Sequence, residues 1–194
     1  RTATLAAGMA DTEPRLSSFS TERLELRPLT LDDLDLVMAH WSEPEVGRWL
    51  FDDRLPERAK VEEELQMSLD LFRSRGLGIW GLYRPPRELI GTCGFLPVAE
   101  VGEIEILFSI EPRHWRRGYA LEASRATLER AFGGADLRRV VGGCGVPNES
   151  YRRLLERLGM HLDKREPIRG IDCYHYSLER AAYLAERAAA ARQR

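Results

Sequence analysis

The sequence predicts a mixed α+β domain, one central sheet with helices packed on its faces. Three observations carry this. The apolar pattern switches between a period of two and a period of 3.6 in the order strand, two helices, three strands, helix, strand, helix, strand, which is neither a regular βα alternation nor a bundle. The chain has 194 residues, 43% apolar and 31% charged, which suits one domain with a full core. No internal repeat or low-complexity insert divides it.

Leu24–Leu29 alternates apolar and polar residues and reads as a half-buried strand. Thr30 then caps a helix with Asp32 and Asp33 in its first turn and Leu34, Val37, Met38 and Trp41 at helical spacing; it runs to about His40, and Pro44 ends it. A second helix begins at Pro56, carries Val61, Leu65, Leu69 and Phe72 on one face, and stops at Gly76. Glu43 to Arg54 between them reads as a loop whose Trp49, Leu50 and Phe51 are either a buried staple or a substrate lid. Gly78–Tyr83 and Leu89–Leu96 read as strands joined by a turn at Arg84-Pro85-Pro86-Arg87, and Ile104–Ile110 is a third strand before Pro112. Leu121–Phe132 is helical, Val140–Val146 is a strand, Glu149–Leu158 is a helix stopped by Gly159, and Cys173–Leu178 is the last strand. Arg1–Ser20 reads as a flexible tail outside the fold, with Met9 a candidate start; residues 21–180 form the domain, and 181–194 an exposed helical extension.

Composition excludes several function classes. The formal net charge is −2, so no bulk positive field gathers nucleic acid, and no basic stripe with interleaved aromatics is present. Cys93, Cys144 and Cys173 are widely spaced and odd in number, against a disulfide framework or a zinc site and in favour of reduced, buried thiols in a cytoplasmic setting. No run of 18 apolar residues marks a membrane span.

The strongest chemical feature is Trp115-Arg116-Arg117-Gly118-Tyr119-Ala120 leading into Leu121-Glu122-Ala123-Ser124. A strand ends, a turn follows and a helix opens near Gly118. First-turn amides lack intrahelical partners and, with the helix dipole, form an anion site; glycine lets a phosphate approach the backbone. Taken alone, the segment reads equally well as a plain turn before an amphipathic helix. Glu103 and Glu105 share a strand face. Gly142-Gly143-Cys144-Gly145 resembles half of a dinucleotide fingerprint, but Asn148 stands where its last glycine belongs; the glycines read as a strand packed closely against another backbone, or as a bulge. His40 ends its helix, and His114, His161 and His175 lack metal-ligand spacing and read as structural.

Segments spread along the chain resemble the GCN5-related N-acetyltransferase (GNAT) superfamily, in its ribosomal-protein N-terminal acetyltransferase branch. They are Thr21-Glu22-Arg23-Leu24-Glu25-Leu26-Arg27-Pro28; Glu43-Pro44-Glu45-Val46; Glu105-Ile106-Leu107-Phe108-Ser109-Ile110 with Pro112 and Trp115; Asn148 with Leu154-Leu155-Glu156-Arg157-Leu158-Gly159; and Asp172 with Tyr176-Ser177-Leu178. The resemblance implies a single, mostly antiparallel mixed sheet with helices on both faces, whose fourth and fifth strands splay apart to hold acetyl-CoA as cosubstrate. It implies pantetheine pairing with the backbone of Phe108, Ser109 and Ile110, pyrophosphate on the amides of Arg116, Arg117, Gly118, Tyr119, Ala120 and Leu121, and a cofactor contact at Asn148, which also suits a helix N-cap. It implies transfer of an acetyl group to a primary amine of a protein N-terminus, a polyamine or a small molecule, and a dimer by analogy. The alternative is a module that binds acyl-CoA without catalysis.

An alkyl amine of pKa about 10.4 is neutral only once in ~2,500 molecules at pH 7, a penalty of about 4.6 kcal/mol, and a carboxylate near the acetyl group, directly or through water, can take its proton. Glu105 matches the family's fourth-strand glutamate and is the favoured base, against the reading of two solvated carboxylates; Glu122 reads as a structural residue at the helix start. Where the branch commonly carries serine to assist the departing thiolate, this chain has Tyr151, with Ser150 one residue earlier. Tyr151 or Ser150 serves as the acid, or none is needed, a thiolate of pKa near 8.5 being a fair leaving group.

Overall fold

The computed structural model describes residues 16–51, 54–98, 102–135, 137–168 and 170–192. Strands β1 (Phe19–Ser20) and β2 (Glu25–Pro28) precede helices α1 (Leu34–Trp41), α2 (Pro44–Leu50) and α3 (Arg58–Arg75). Then come β3 (Ile79–Arg84), β4 (Glu88–Val98), β5 (Glu103–Ile110), α4 (Tyr119–Gly133), β6 (Arg139–Gly145), α5 (Glu149–Arg157), β7 (His161–Ile168), β8 (Ile171–Glu179) and α6 (Arg180–Ala191). They build one eight-stranded sheet in the order β1-β2-β3-β4-β5-β6-β8-β7. Every neighbouring pair is antiparallel except β5 and β6, which are parallel and meet at a single register pair, Glu105 with Val141.

Two apolar clusters sandwich the sheet. Leu29, Leu34, Val37, Trp41, Val46, Val61, Leu65 and Ile79 join α1, α2 and α3 to one face, with Leu107 of β5 packed against them. The larger cluster joins Ile106 and Ile110 of β5 to Leu121 and Leu128 of α4 and Leu154 and Leu155 of α5. Adjacent β5 residues fall in opposite clusters, as the period of two requires. Phe72 and Trp80, both fully buried, meet edge to face at 4.8 Å, so Phe72→Ala would cost about 3–5 kcal/mol.

The structure departs from the sequence reading at three places. The fold begins before residue 21: Phe19 and Ser20 pair with Leu26 and Glu25, and Phe19 stands edge-on to Trp80 at 5.6 Å. Pro44 opens a helix of its own, α2, taking the first-turn position that tolerates a missing N–H. Leu50 and Phe51 then staple onto the cluster around α1, α2 and α3, with Phe51 5.8 Å from Trp41, while Trp49 is exposed. An eighth strand, β7, occupies the sheet edge and is exposed along its whole length. The hairpin at Arg84–Arg87 and the stop of α3 at Gly76, left-handed at φ 69°, match expectation.

Candidate active site

The site is built where β5 and β6 part. Tyr151 Oη donates to the Ile106 carbonyl at 2.8 Å, so the backbone groups of Ile106, Phe108 and Ile110 face β6 rather than β4. Ser109 faces the other way. A Cβ on Gly91 of β4 would lie 2.2 Å from the Ser109 carbonyl oxygen, so Ser109 does not offer that carbonyl to the gap as the pantetheine expectation required. Its side chain joins a buried polar chain in which Ser109 Oγ lies 2.8 Å from both His40 Nε2 and Thr92 Oγ1, and Trp41 Nε1 donates to Thr92 at 3.3 Å. Burial lowers the His40 pKa to about 4. The Ile110 carbonyl is taken by Trp115 Nε1 at 2.6 Å, which leaves Phe108 as the residue whose N–H and C=O both face the gap unclaimed by these contacts.

Glu105 stands at the point of parting. Its Oε1 accepts the Gly143 N–H at 2.9 Å, giving β6 a side-chain partner where the parallel ladder has stopped. Burial raises the carboxyl pKa, and the Gly143 bond partly offsets that rise. A Cβ at Gly143 would sit 3.3 Å from that oxygen, and one at Gly142 3.1 Å from Leu155, so the glycine run makes room for side chains rather than for a dinucleotide. Tyr151 stacks on Phe108 with ring centroids 4.4 Å apart and planes 10° apart. Burial first, and the charge of Glu105 second, push its phenol pKa well above the ordinary value. Ser150 is exposed. Asn148 is the N-cap of α5, its Oδ1 accepting the Tyr151 N–H at 3.1 Å; this cap sets the helix phase that turns Tyr151, and not Ser150, onto β5.

Beyond β5 the chain turns through Arg116 at φ 59° and Gly118 at φ 81°, two left-handed residues that gather successive amides into a concavity. The first intrahelical bond of α4 runs from Glu122 N to Gly118 O at 3.0 Å, so the amides of Tyr119, Ala120 and Leu121 point outward. Arg116 and Arg117 are exposed beside them. Glu122 is the structural residue expected: Thr21 Oγ1 at 2.5 Å, Arg23 N at 3.0 Å and Arg23 Nε at 2.6 Å all bond its carboxylate. Burial opposes ionisation there, but the bonds from Thr21 and Arg23 win and hold the carboxyl below its usual range. Arg23 also donates to the Arg117 carbonyl at 2.9 Å and lies 4.7 Å above the Tyr119 ring. Sequence reasoning missed Arg23 because its partners lie about 100 residues away.

Among the described residues no helix is long and apolar enough to cross a membrane, and the three cysteines form no disulfide. A family model described as an acetyltransferase (GNAT) domain matches residues 23–161. The "Uncharacterized N-acetyltransferase p20" of Bacillus licheniformis is 29% identical over 176 residues, 87% of this chain and 99% of that protein. The spermidine N-acetyltransferase of Vibrio cholerae, solved with CoA and spermine, superposes with a TM-score of 0.69 at 18% identity, over 84% of this chain and 99% of that one. The ribosomal-protein-S5-alanine acetyltransferase of Vibrio fischeri does so at 0.69 and 15%, over 86% and 98%. A seam in the sheet, an amide concavity at its mouth and a family match across most of the chain agree, and the chain belongs to the GNAT acetyltransferases.

Proposed function

We propose that the protein transfers an acetyl group from acetyl-CoA to a primary amine by direct attack. The observation that carries this is the seam itself, a parallel strand pair reduced to one register pair with an inward-turned carboxylate, Glu105, at its closed end. The pantetheine arm would take the Phe108 backbone and the Ile110 N–H as an added strand, and the Asn148 side-chain NH₂, which its capping bond does not use, would meet it. The pyrophosphate would lie on the amides of Tyr119, Ala120 and Leu121, with Arg116 and Arg117 adding charge.

Glu105 acts as the base. Its raised pKa brings it nearer to working pH, and Oε2 is left by the Gly143 bond to receive the ammonium proton. The neutral amine attacks the thioester carbonyl, the C–N bond forms, the C–S bond breaks and CoA leaves as thiolate, which takes up the second proton lost from nitrogen, while the proton on Glu105 leaves to solvent. Tyr151 serves as a clamp rather than as the acid, because its proton is committed to the Ile106 carbonyl and burial makes it a weak donor to a thiolate.

The test is a thiol-release assay with acetyl-CoA and a panel of amines: peptide N-termini and polyamines, the acceptor types in the names of the two structural neighbours, and small-molecule amines. Turnover with any of them supports the reading. Calorimetric acetyl-CoA binding without turnover on all of them favours a binding module instead.

A further inference from the structure

We propose that Glu88, Glu111 and His114 form a site for one divalent transition-metal ion of the zinc class, at the foot of the turn that leads into α4. The site uses none of the side chains assigned to acetyl transfer and stands or falls apart from that reading. The three residues meet through one short turn and the start of one strand. Glu111 and His114 bracket the 3₁₀ turn Pro112–His114, closed by the His114 N–H on the Glu111 carbonyl at 2.9 Å. Side chains three apart on such a turn lie on one side of it. The Glu111 N–H also donates to the Ile90 carbonyl at 2.9 Å, which ties the turn to the beginning of β4, where Glu88 stands. One ligand atom from each of the three residues lies within 4.8 Å of the other two. Local spacing hid this set, because Glu88 comes from another strand.

His114 is the observation that points to a ligand. Its side chain is only 6% exposed, yet neither ring nitrogen has a hydrogen-bond partner in the protein. A buried polar ring without partners is costly. Its Nε2 is turned toward Glu88 Oε1 at 3.5 Å, longer than an ordinary hydrogen bond. That is the spacing of two donors on one ion: a tetrahedral centre with bonds of about 2.1 Å holds its ligands about 3.4 Å apart. One imidazole with two carboxylates suits zinc-class ions, whereas magnesium and calcium take shells of oxygen.

Arg113 is the competitor. It bonds Glu111 Oε2 at 2.6 Å and Glu88 Oε1 at 3.1 Å, so a cation already bridges the two carboxylates from outside. It leaves the His114 ring unmet, whereas a metal ion would satisfy all three side chains at once. Arg113 is 64% exposed, and exposed ion pairs contribute little, so its guanidinium can swing into water as the metal enters. Glu111 and Arg113 line a surface cleft with Glu43 and Pro112, which gives a hydrated ion a way in. Trp115 follows His114 directly and holds the Ile110 carbonyl at 2.6 Å. An ion here would therefore anchor the base of the concavity formed at Arg116 and Gly118.

The test titrates zinc chloride into the metal-stripped full chain by calorimetry, with magnesium chloride as the control, and follows Tm in parallel. Wild type is expected to bind one equivalent of zinc and to gain in Tm as zinc is added. Glu88→Gln and His114→Gln should each weaken zinc binding by about tenfold or more and lose the gain in Tm. Arg113→Ala should bind zinc several-fold more tightly than wild type, since the competing cation is gone. That variant keeps all three donors, so it decides the matter even where His114→Gln does not fold. Zinc affinity unchanged in Glu88→Gln and Arg113→Ala places the ion elsewhere, on the thiols for example, and overturns the proposal. No zinc binding by wild type, or magnesium bound equally well, overturns it too. None of these readouts requires acetyl transfer, so a chain that acetylates no amine can still confirm the site.

Discussion

Glu105→Gln separates chemistry from architecture. Glutamine keeps an oxygen for the Gly143 N–H now bonded at 2.9 Å, so the seam should stay closed, at a cost of about 1 kcal/mol for exchanging a charged acceptor for a neutral one. The other terminal atom changes from a proton acceptor to a donor facing the amine. Without a base the reaction must draw on the neutral amine in solution, about one part in ~2,500 at pH 7 for a lysine-like amine. The expected loss in kcat/KM at pH 7 is about 10²–10³, within the range for general-base catalysis. It should shrink about tenfold per pH unit as the neutral amine grows. Stability should move oppositely. Burial raises the native pKa of Glu105, so the folded state holds this proton more tightly than the unfolded state. Ionisation then weakens the fold as pH rises from the unfolded carboxyl range, about 4.3, through the raised native value. Glutamine does not ionise, so the variant's Tm relative to wild type should be higher at pH 8 than at pH 4. Thiol release and thermal melting across pH read both effects. Wild-type kcat/KM at pH 7, or a relative Tm that does not change with pH, refutes the reasoning.

Three further substitutions probe the surroundings. Gly118→Asp places a carboxylate in the amide concavity at a φ of 81° and should weaken CoA binding by at least tenfold in calorimetry; unchanged affinity in a folded variant removes the turn from the pyrophosphate role. Tyr151→Phe strips the Ile106 carbonyl of its donor and should lower stability by about 1–2 kcal/mol in denaturant melts while keeping kcat within about tenfold; a loss of about 10³ would restore Tyr151 as the acid. His40, held neutral by burial with its pKa lowered to about 4, contributes stability that is present above the unfolded value of about 6.5 and is lost as pH falls through 4. The stability gap between wild type and His40→Gln should therefore narrow by up to about 3 kcal/mol from pH 7 to 4, and a constant gap in chemical melts would contradict the burial of an uncharged ring.

What could be read from the sequence followed periodicity. Strands β2 to β6 and β8, and helices α1, α3, α4 and α5, announced themselves, β3 and β4 as short apolar runs buried on both faces and the rest through apolar spacing along the chain. Strand β7 did not, because His161–Ile168 is exposed on both faces and carries Asp163, Lys164, Arg165 and Glu166 in succession. Helix α2 hid because Pro44 read as the end of α1, whereas it opens a helix whose Val46 and Gly47 are buried beside Trp41. In the site, Glu105 and the Gly118 turn were visible as local patterns. The choice between Tyr151 and Ser150 was not, since it depends on a helix phase set by the Asn148 cap.

The uneven closure of the sheet has a mechanical consequence. β5 is zipped to β4 along eight register pairs and to β6 along one, with Glu105–Gly143 and Tyr151–Ile106 as rivets. The molecule is therefore two stiff plates sharing a short hinge line. A ligand lying across that line would lock the plates together, so binding of a first substrate would fix the distance between Phe108 on one plate and Asn148, just past β6, on the other. The seat for the second substrate would then acquire its working width only after the first has arrived, and the order of binding would be written into the geometry of the sheet.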